Sequence, residues 1–250
     1  MLVDAHCHLN SLSPSIKKQV LTSGEGKFLF IDISINPQTA LLSLELAQQY
    51  NFVYSCLGFH PFYVESFHQG ILQEYERLIS QSRKIVGIGE VGLDYKQGSL
   101  EKQKKVFTEF ITLARQKKMP LVLHNRLNSS LMLDIVSRYY SSYETLIFHC
   151  FSQDKNFLQR VVDKGGFVSF SLNILRKNKR LMEAVKFCPL ENLLCETDSP
   201  YMKVGKDLST PLDLEKVISF IAEIKGVSFD ELVEVIFTNA QRVFNLRNLF

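Results

Sequence analysis

No stretch of about 18 uninterrupted apolar residues occurs in the 250-residue chain, which excludes a membrane-spanning helix. No CxxC pair occurs either, and five cysteines are an odd number, so free thiols in a reducing compartment are expected rather than a disulfide framework. The N-terminus lacks the basic region and apolar stretch of a signal peptide, and a cytoplasmic location is expected on that ground. No GxGxxG follows the first apolar run, which removes the usual dinucleotide signal. No low-complexity segment or linker divides the chain, so a single domain over residues 1–250 is expected. Charge of neither sign dominates. With 29 Lys and Arg against 26 Asp and Glu, a net +3 only leans toward an anionic partner. What remains is a globular composition, 46% apolar and 22% charged, sufficient for a sizeable core.

Apolar, β-rich runs alternate with helical patterns along the whole chain. Strands are expected at 2–8, 28–34, 52–59, 85–92, 121–125, 146–150, 167–171 and 193–198. Helices are expected at 37–50, 72–81, 100–117, 130–139, 155–164, 179–187, 213–224 and 230–244. Eight strands alternating with helices at this length predict an α/β chain folded as a (β/α)8 TIM barrel. An open, doubly wound sheet is the alternative. In a barrel, functional groups gather at the C-terminal ends of the strands.

The polar residues follow that rule. The first run ends in His6-Cys7-His8, whose two imidazoles share a strand face about 6–7 Å apart along the chain. The third leads into Gly58-Phe59-His60-Pro61, and the fourth reaches Glu90 and then Val91-Gly92-Leu93-Asp94-Tyr95. The fifth ends in His124-Asn125-Arg126, the sixth in His149, and the eighth in Glu196-Thr197-Asp198. Five of the six histidines stand at such ends, and only His68 falls in a loop, where an ordinary surface residue is expected. So many unpaired polar groups meeting at one mouth would be costly to bury, and one or two divalent cations remove the cost. Strand alternation turns Cys7, Cys150 and Cys195 away from the mouth, which makes them buried small apolar residues rather than ligands.

Taken together, the segments Asp4-Ala5-His6-Cys7-His8-Leu9, Gly58-Phe59-His60-Pro61, Gly89-Glu90-Val91-Gly92-Leu93-Asp94-Tyr95 and Pro120 through Arg126 form one ordered set. Phe148-His149-Cys150-Phe151-Ser152, Glu196-Thr197-Asp198-Ser199-Pro200-Tyr201 and Asn239-Ala240-Gln241-Arg242-Val243-Phe244 extend it to the end of the chain. In these motifs the chain resembles the TatD family of metal-dependent deoxyribonucleases, within the amidohydrolase superfamily of barrels. The resemblance implies His6, His8, Glu90, His124, His149 and Asp198 as metal ligands, with Glu90 as a carboxylate able to bridge two ions. It places His60 beside the metals, Arg126 as a grip on a phosphate oxygen, and Glu196 as a group orienting a ligand or substrate. Two departures bear on the substrate. The family's longer basic loop after the last strand is here the segment 203–211, shorter and without arginine, and Arg126 is not followed by an acidic residue.

The implied reaction is metal-assisted hydrolysis of a phosphodiester, in which a divalent cation eases deprotonation of water. Asp198 is the expected general base, with Glu90 and His60 completing the catalytic set. Mixed nitrogen and oxygen donors suit Zn²⁺ or Mn²⁺ and do not exclude Mg²⁺. Three readings stand side by side: an exonuclease acting on single-stranded DNA or 3′ ends, a hydrolase of a small-molecule amide, ester or lactone, and a non-enzymatic metal-binding protein. No membrane and no obligate protein partner is implied. The basic run Arg176-Lys177-Asn178-Lys179-Arg180 is either a phosphate-attracting patch or a solvated helix start, and Lys102-Gln103-Lys104-Lys105 reads as plain surface. Phe59, Phe62, Tyr63 and Tyr201 either stack on bases or pack.

Overall fold

Strands buried on both faces need near-continuous apolar sequence, and the computed structural model, which describes residues 1–96, 98–127, 129–204 and 207–246, places such runs in one sheet. Its strands are β1 (Leu2–Cys7), β2 (Phe28–Ile33), β3 (Val53–Leu57), β4 (Ile85–Asp94), β5 (Leu121–Arg126), β6 (Leu146–Phe148), β7 (Phe167–Phe170) and β8 (Leu193–Cys195). They are parallel neighbours in sequence order. The sheet curls round until the Asp198 amide donates to the His6 carbonyl (2.9 Å) and the His8 amide to the Ser199 carbonyl (2.8 Å). The result is a nearly closed (β/α)8 barrel, and the open alternative does not occur.

Outside it lie α1 (Pro14–Gly24), α2 (Pro37–Gln49), α3 (Gln69–Gln81), α4 (Leu100–Lys117), α5 (Leu131–Val136), α6 (Lys155–Val162) and α7 (Lys179–Phe187). Two more, α8 (Leu214–Lys225) and α9 (Phe229–Val243), follow a two-stranded ribbon of β9 (Lys203–Val204) and β10 (Asp207–Leu208). Polar caps set the helix starts: Asn36 with Thr39 at α2, Asp154 at α6, Asn178 at α7 and Ser228 at α9.

Two features depart from expectation. Helix α1 falls where no helix is expected, because only Val20, Leu21 and Gly24 of it are buried and its amphipathic pattern is weak. Pro14 in its first turn is a start signal rather than a breaker. The ribbon β9–β10 lies in the 203–211 segment, of which Gly205 and Lys206 are outside the described residues.

Two glycines let the mouth-lining strands approach one another. A Cβ on Gly58 would lie 2.0 Å from the Glu90 amide nitrogen and 2.4 Å from the Ser34 carbonyl oxygen. Gly92, at φ +153°, would set a Cβ 2.0 Å from the His124 carbonyl oxygen. Since both clashes are with backbone, neither is relieved by a rotamer change. Gly58→Ala is expected to lower stability by about 3 kcal/mol, at the upper end of overpacking costs, as read from urea unfolding. A loss under ~1 kcal/mol would show that the strands can part to admit the methyl.

Candidate metal centre at the barrel mouth

Alternation along β1 brings Asp4 and His6 to one face, and His8 follows one residue past the end of the strand. His8 Nδ1 lies 2.8 Å from the Ile33 carbonyl oxygen, which can only accept, so this nitrogen carries the proton and Nε2 presents its lone pair. His6 Nε2 is 3.2 Å from that lone pair. Glu90 Oε2 lies 3.5 Å from His6 Nε2 and 3.9 Å from His8 Nε2, while Asp198 Oδ1 lies 3.9 Å and 3.5 Å from the same two atoms. Four ligand atoms about 2.1 Å from one tetrahedral ion stand about 3.4 Å apart. The observed spacings bracket that value.

The other Glu90 oxygen faces a second group. His149 Nε2 is 2.8 Å from Glu90 Oε1, His124 Nδ1 contacts the same oxygen, and the two imidazole nitrogens are 3.4 Å apart. The His6 and His149 rings stack across the centre at 3.9 Å, 7° from parallel. Glu90 therefore stands between a four-donor and a three-donor group, one carboxylate oxygen in each. It reaches that position from the middle of β4, where the pairing with β5 shifts register between Ile88 and Val91.

This buried assembly requires positive charge. Burial by itself would depress His149, but Glu90 and Glu196 outweigh it and raise its pKa to about 10. Burial likewise opposes charge on His8, and the nearby carboxylates of Asp198 and Glu90 override it, raising its pKa. Burial would raise Glu90, yet His149, His60 and His124 hold it well below the usual carboxylate range. Protons or cations must fill that role, and His6 Nδ1, His149 Nδ1 and one Glu196 oxygen remain buried without hydrogen-bond partners. Ligand-type atoms of His6, His8 and Glu90 lie within 4.8 Å of one another, as do those of His6, His149 and Glu196. The residues present fit divalent metal ions.

His60 is wired differently. Its Nδ1 accepts from the Phe62 amide (3.1 Å), so in the neutral ring Nε2 carries the proton, 3.6 Å from Glu90 Oε1. Burial is the chief cause that lowers its pKa to about 4. His60 is thus a neutral N–H donor beside the donor cluster, although its atoms lie close enough to Glu90 and His124 to resemble a ligand set. Glu196 Oε1 accepts from the Cys150 amide (2.7 Å) and lies 3.5 Å from His149 Nδ1.

A cavity of about 490 Å³ opens above the cluster, lined by His60, Glu90, His124, His149 and Asp198 and by the cations Lys96, Arg126 and Arg176. Phe62, Tyr63, Tyr95 and Tyr201 form its aromatic rim. Phe62 stands edge-on to the His60 ring at 4.5 Å and Tyr201 edge-on to His8 at 4.7 Å. Phe59 does not reach the mouth: it is buried against Phe67 and Phe110. Of the basic run, Arg176 faces the cavity, Asn178 caps α7, and Arg180 lies 3.7 Å from Asp154. Gln103 is buried in the supposed surface run, where it binds the main chain of Asp94. His68 is exposed and apart from the centre, as expected.

Two further corrections concern alternation. Strand β6 stops at Phe148, and Cys150 adopts a left-handed backbone (φ 43°), so the two-residue period no longer applies there. Its sulfur meets the Arg126 guanidinium (3.4 Å) and the Ser171 hydroxyl (3.3 Å) instead of an apolar layer. Cys7 and Cys195 do lie in the core, and all five cysteines are free and buried. Asp94 and Asp4 were the missed acidic groups, although each shares strand parity with a site residue. Asp94 Oδ2 is 2.9 Å from His124 Nε2, and Asp4 accepts from the His6 and Thr197 amides (3.3 and 3.0 Å).

The chain is similar over nearly all its length to known proteins. An uncharacterized metal-dependent hydrolase of Methanocaldococcus jannaschii is 29% identical over 250 residues, spanning 98% of this chain and 97% of its own. Another from Mycoplasma genitalium is 32% identical over 263 residues, spanning 96% and 98%. Among solved structures, a TatD homologue of Escherichia coli K12 superposes with a TM-score of 0.89 at 24% identity, over 98% of both chains. A phosphotriesterase homology protein of Escherichia coli, solved with phosphate in its active site, shares the fold at a TM-score of 0.69 and 18% identity, over 97% of this chain and 98% of its own. The sequence model of the TatD-related DNase family matches residues 3–245, and on that match this chain belongs to the TatD family of metal-dependent hydrolases.

Proposed function

We propose that this chain hydrolyses phosphodiester bonds at the ends of DNA strands, with His6, His8, Glu90, His124, His149 and Asp198 as the metal ligands. The observation that carries this reading is the composition of the mouth: a carboxylate-bridged donor cluster beneath three cations, rimmed by four aromatic rings. Phosphates suit the cations and bases suit the rings. The family's description as DNase-related supports the same reading.

Bound divalent cations supply Lewis acidity, which polarises a phosphoryl oxygen and eases deprotonation of water. Asp198 takes the proton from the attacking water. The His60 Nε2–H donates to negative charge developing on the phosphoryl group, and Arg126 grips one of its oxygens. Glu196 keeps His149 in register. No covalent intermediate on a side chain is required.

The test is incubation of end-labelled single-stranded DNA with the protein and Mg²⁺, Mn²⁺ or Zn²⁺. Stepwise shortening that a chelator abolishes is the expected result. No shortening with any of the three ions, from folded protein, would overturn it. The short 203–211 segment, free of arginine, favours as second reading a small-molecule amide, ester or lactone substrate, which a panel of such compounds would expose.

A further inference from the structure

Asp94 ends β4 four residues after Glu90, on the same strand face, and is 4% exposed. Its placement is unusually constrained. The Asp94 amide donates to Gln103 Oε1 (2.8 Å), and Gln103 Nε2 donates back to the Asp94 carbonyl (2.9 Å), so one buried side chain of α4 holds both main-chain groups. The Lys96 amide donates to Asp94 Oδ1 (2.6 Å), which leaves Oδ2 aimed at His124 Nε2, 2.9 Å away.

An ionised carboxylate only accepts, so the proton on the His124 ring resides on Nε2 when the ring is neutral. Nδ1 then presents a lone pair to Glu90 Oε1, which is another acceptor. Two acceptors in contact repel unless something positive lies between them. The opposite tautomer would satisfy Glu90 but would set a lone pair against Asp94.

We propose that Asp94 is a positioning residue for metal binding: by holding the proton on His124 Nε2 it commits Nδ1 to the three-donor group with Glu90 and His149. Its effect is confined to that half of the centre. The four-donor group of His6, His8, Glu90 and Asp198 contains no atom that Asp94 contacts. A carboxylate behind an imidazole raises its strength as a donor, and losing such a partner commonly costs about 10- to 100-fold in metal affinity. The proposal rests on the metal-centre reading and is independent of the substrate.

The experiment titrates chelator-stripped protein with Mn²⁺, reading free ion by electron paramagnetic resonance. Wild type is expected to bind two ions, and Asp94→Asn to bind the first unchanged and the second about 10- to 100-fold more weakly. Equal weakening of both ions would mean a general structural role and would overturn the proposal, as would two unchanged affinities. A wild type that binds one ion also overturns it, whereas one that binds none removes the metal-centre reading itself. Long-range ¹H–¹⁵N NMR of the Zn²⁺-loaded wild type supplies a check that needs no variant to fold. His124 should carry its proton on Nε2 and the metal on Nδ1; the reverse assignment refutes the inference.

Discussion

Asp198→Asn is expected to lower kcat on a DNA substrate by about 10³-fold, within the range typical of a lost general base, while the protein stays folded. The substitution keeps shape and removes charge. In the wild type, Asp198 sits at φ 54°, a left-handed conformation that aspartate and asparagine both tolerate, so the backbone has no reason to move. Its Oδ1 lies 3.5 Å from His8 and 3.9 Å from His6, and burial, which would raise its pKa, is outweighed by the neighbouring imidazoles of His8, His6 and His149. The side chain is therefore an ionised carboxylate within the four-donor group, placed where the proposed reaction needs its base. An asparagine there cannot accept a proton at neutral pH. Steady-state kinetics with metal content measured in parallel decides the matter: a loss of less than tenfold with full metal content would assign the base to another group.

Glu90→Gln should produce the larger loss, because two groups of donors depend on one side chain. Glu90 Oε2 serves the His6–His8 group and Oε1 the His124–His149 group. Gln keeps one carbonyl oxygen, replaces the other with an N–H₂ that repels a cation, and cancels the charge that offsets the buried histidines. Binding of at most one ion per chain is expected, with a fall in kcat of about 10⁴-fold. Metal analysis after dialysis and kinetics at saturating Mn²⁺ test the two halves separately. Two ions retained at wild-type affinity would show that Glu90 does not bridge. Asp198→Asn, by contrast, leaves three donors in its group and disturbs only one side of the centre.

The difference between what was legible in the sequence and what was not is physical. The barrel and the gathering of His6, His8, Glu90, His124, His149 and Asp198 were legible because parallel strands bring their C-terminal ends to one mouth, wherever those residues fall in the chain. Alternation within a strand was legible too, but it was trusted beyond the strand ends. Cys150 lies past β6 in a left-handed conformation, and its sulfur consequently turned toward Arg126. Asp94 obeys the same period as Glu90 and stands in the same motif, yet β4 is expected to end at Gly92, so no role is attached to a carboxylate two residues on. Gln103 lies between lysines in a polar run, and only tertiary packing shows that it is the buried member. For Phe59 the sequence left stacking and packing both open, because residue type does not encode which side of a loop faces the core; it packs.

The closing hydrogen bonds of the barrel join its first strand to the turn after its last, 192 residues apart at His6 and Asp198. The four-donor group straddles this same seam, with His6 and His8 on one side and Asp198 on the other. An ion held there is a clasp on the circumference, and its donors assemble only when the ring is complete. Binding and closure thereby become one equilibrium. At free ion a hundred times its dissociation constant, the closed chain gains about 2.7 kcal/mol over any form with the seam parted. An ion bound across the seam would thus hold the wall of the barrel together from within.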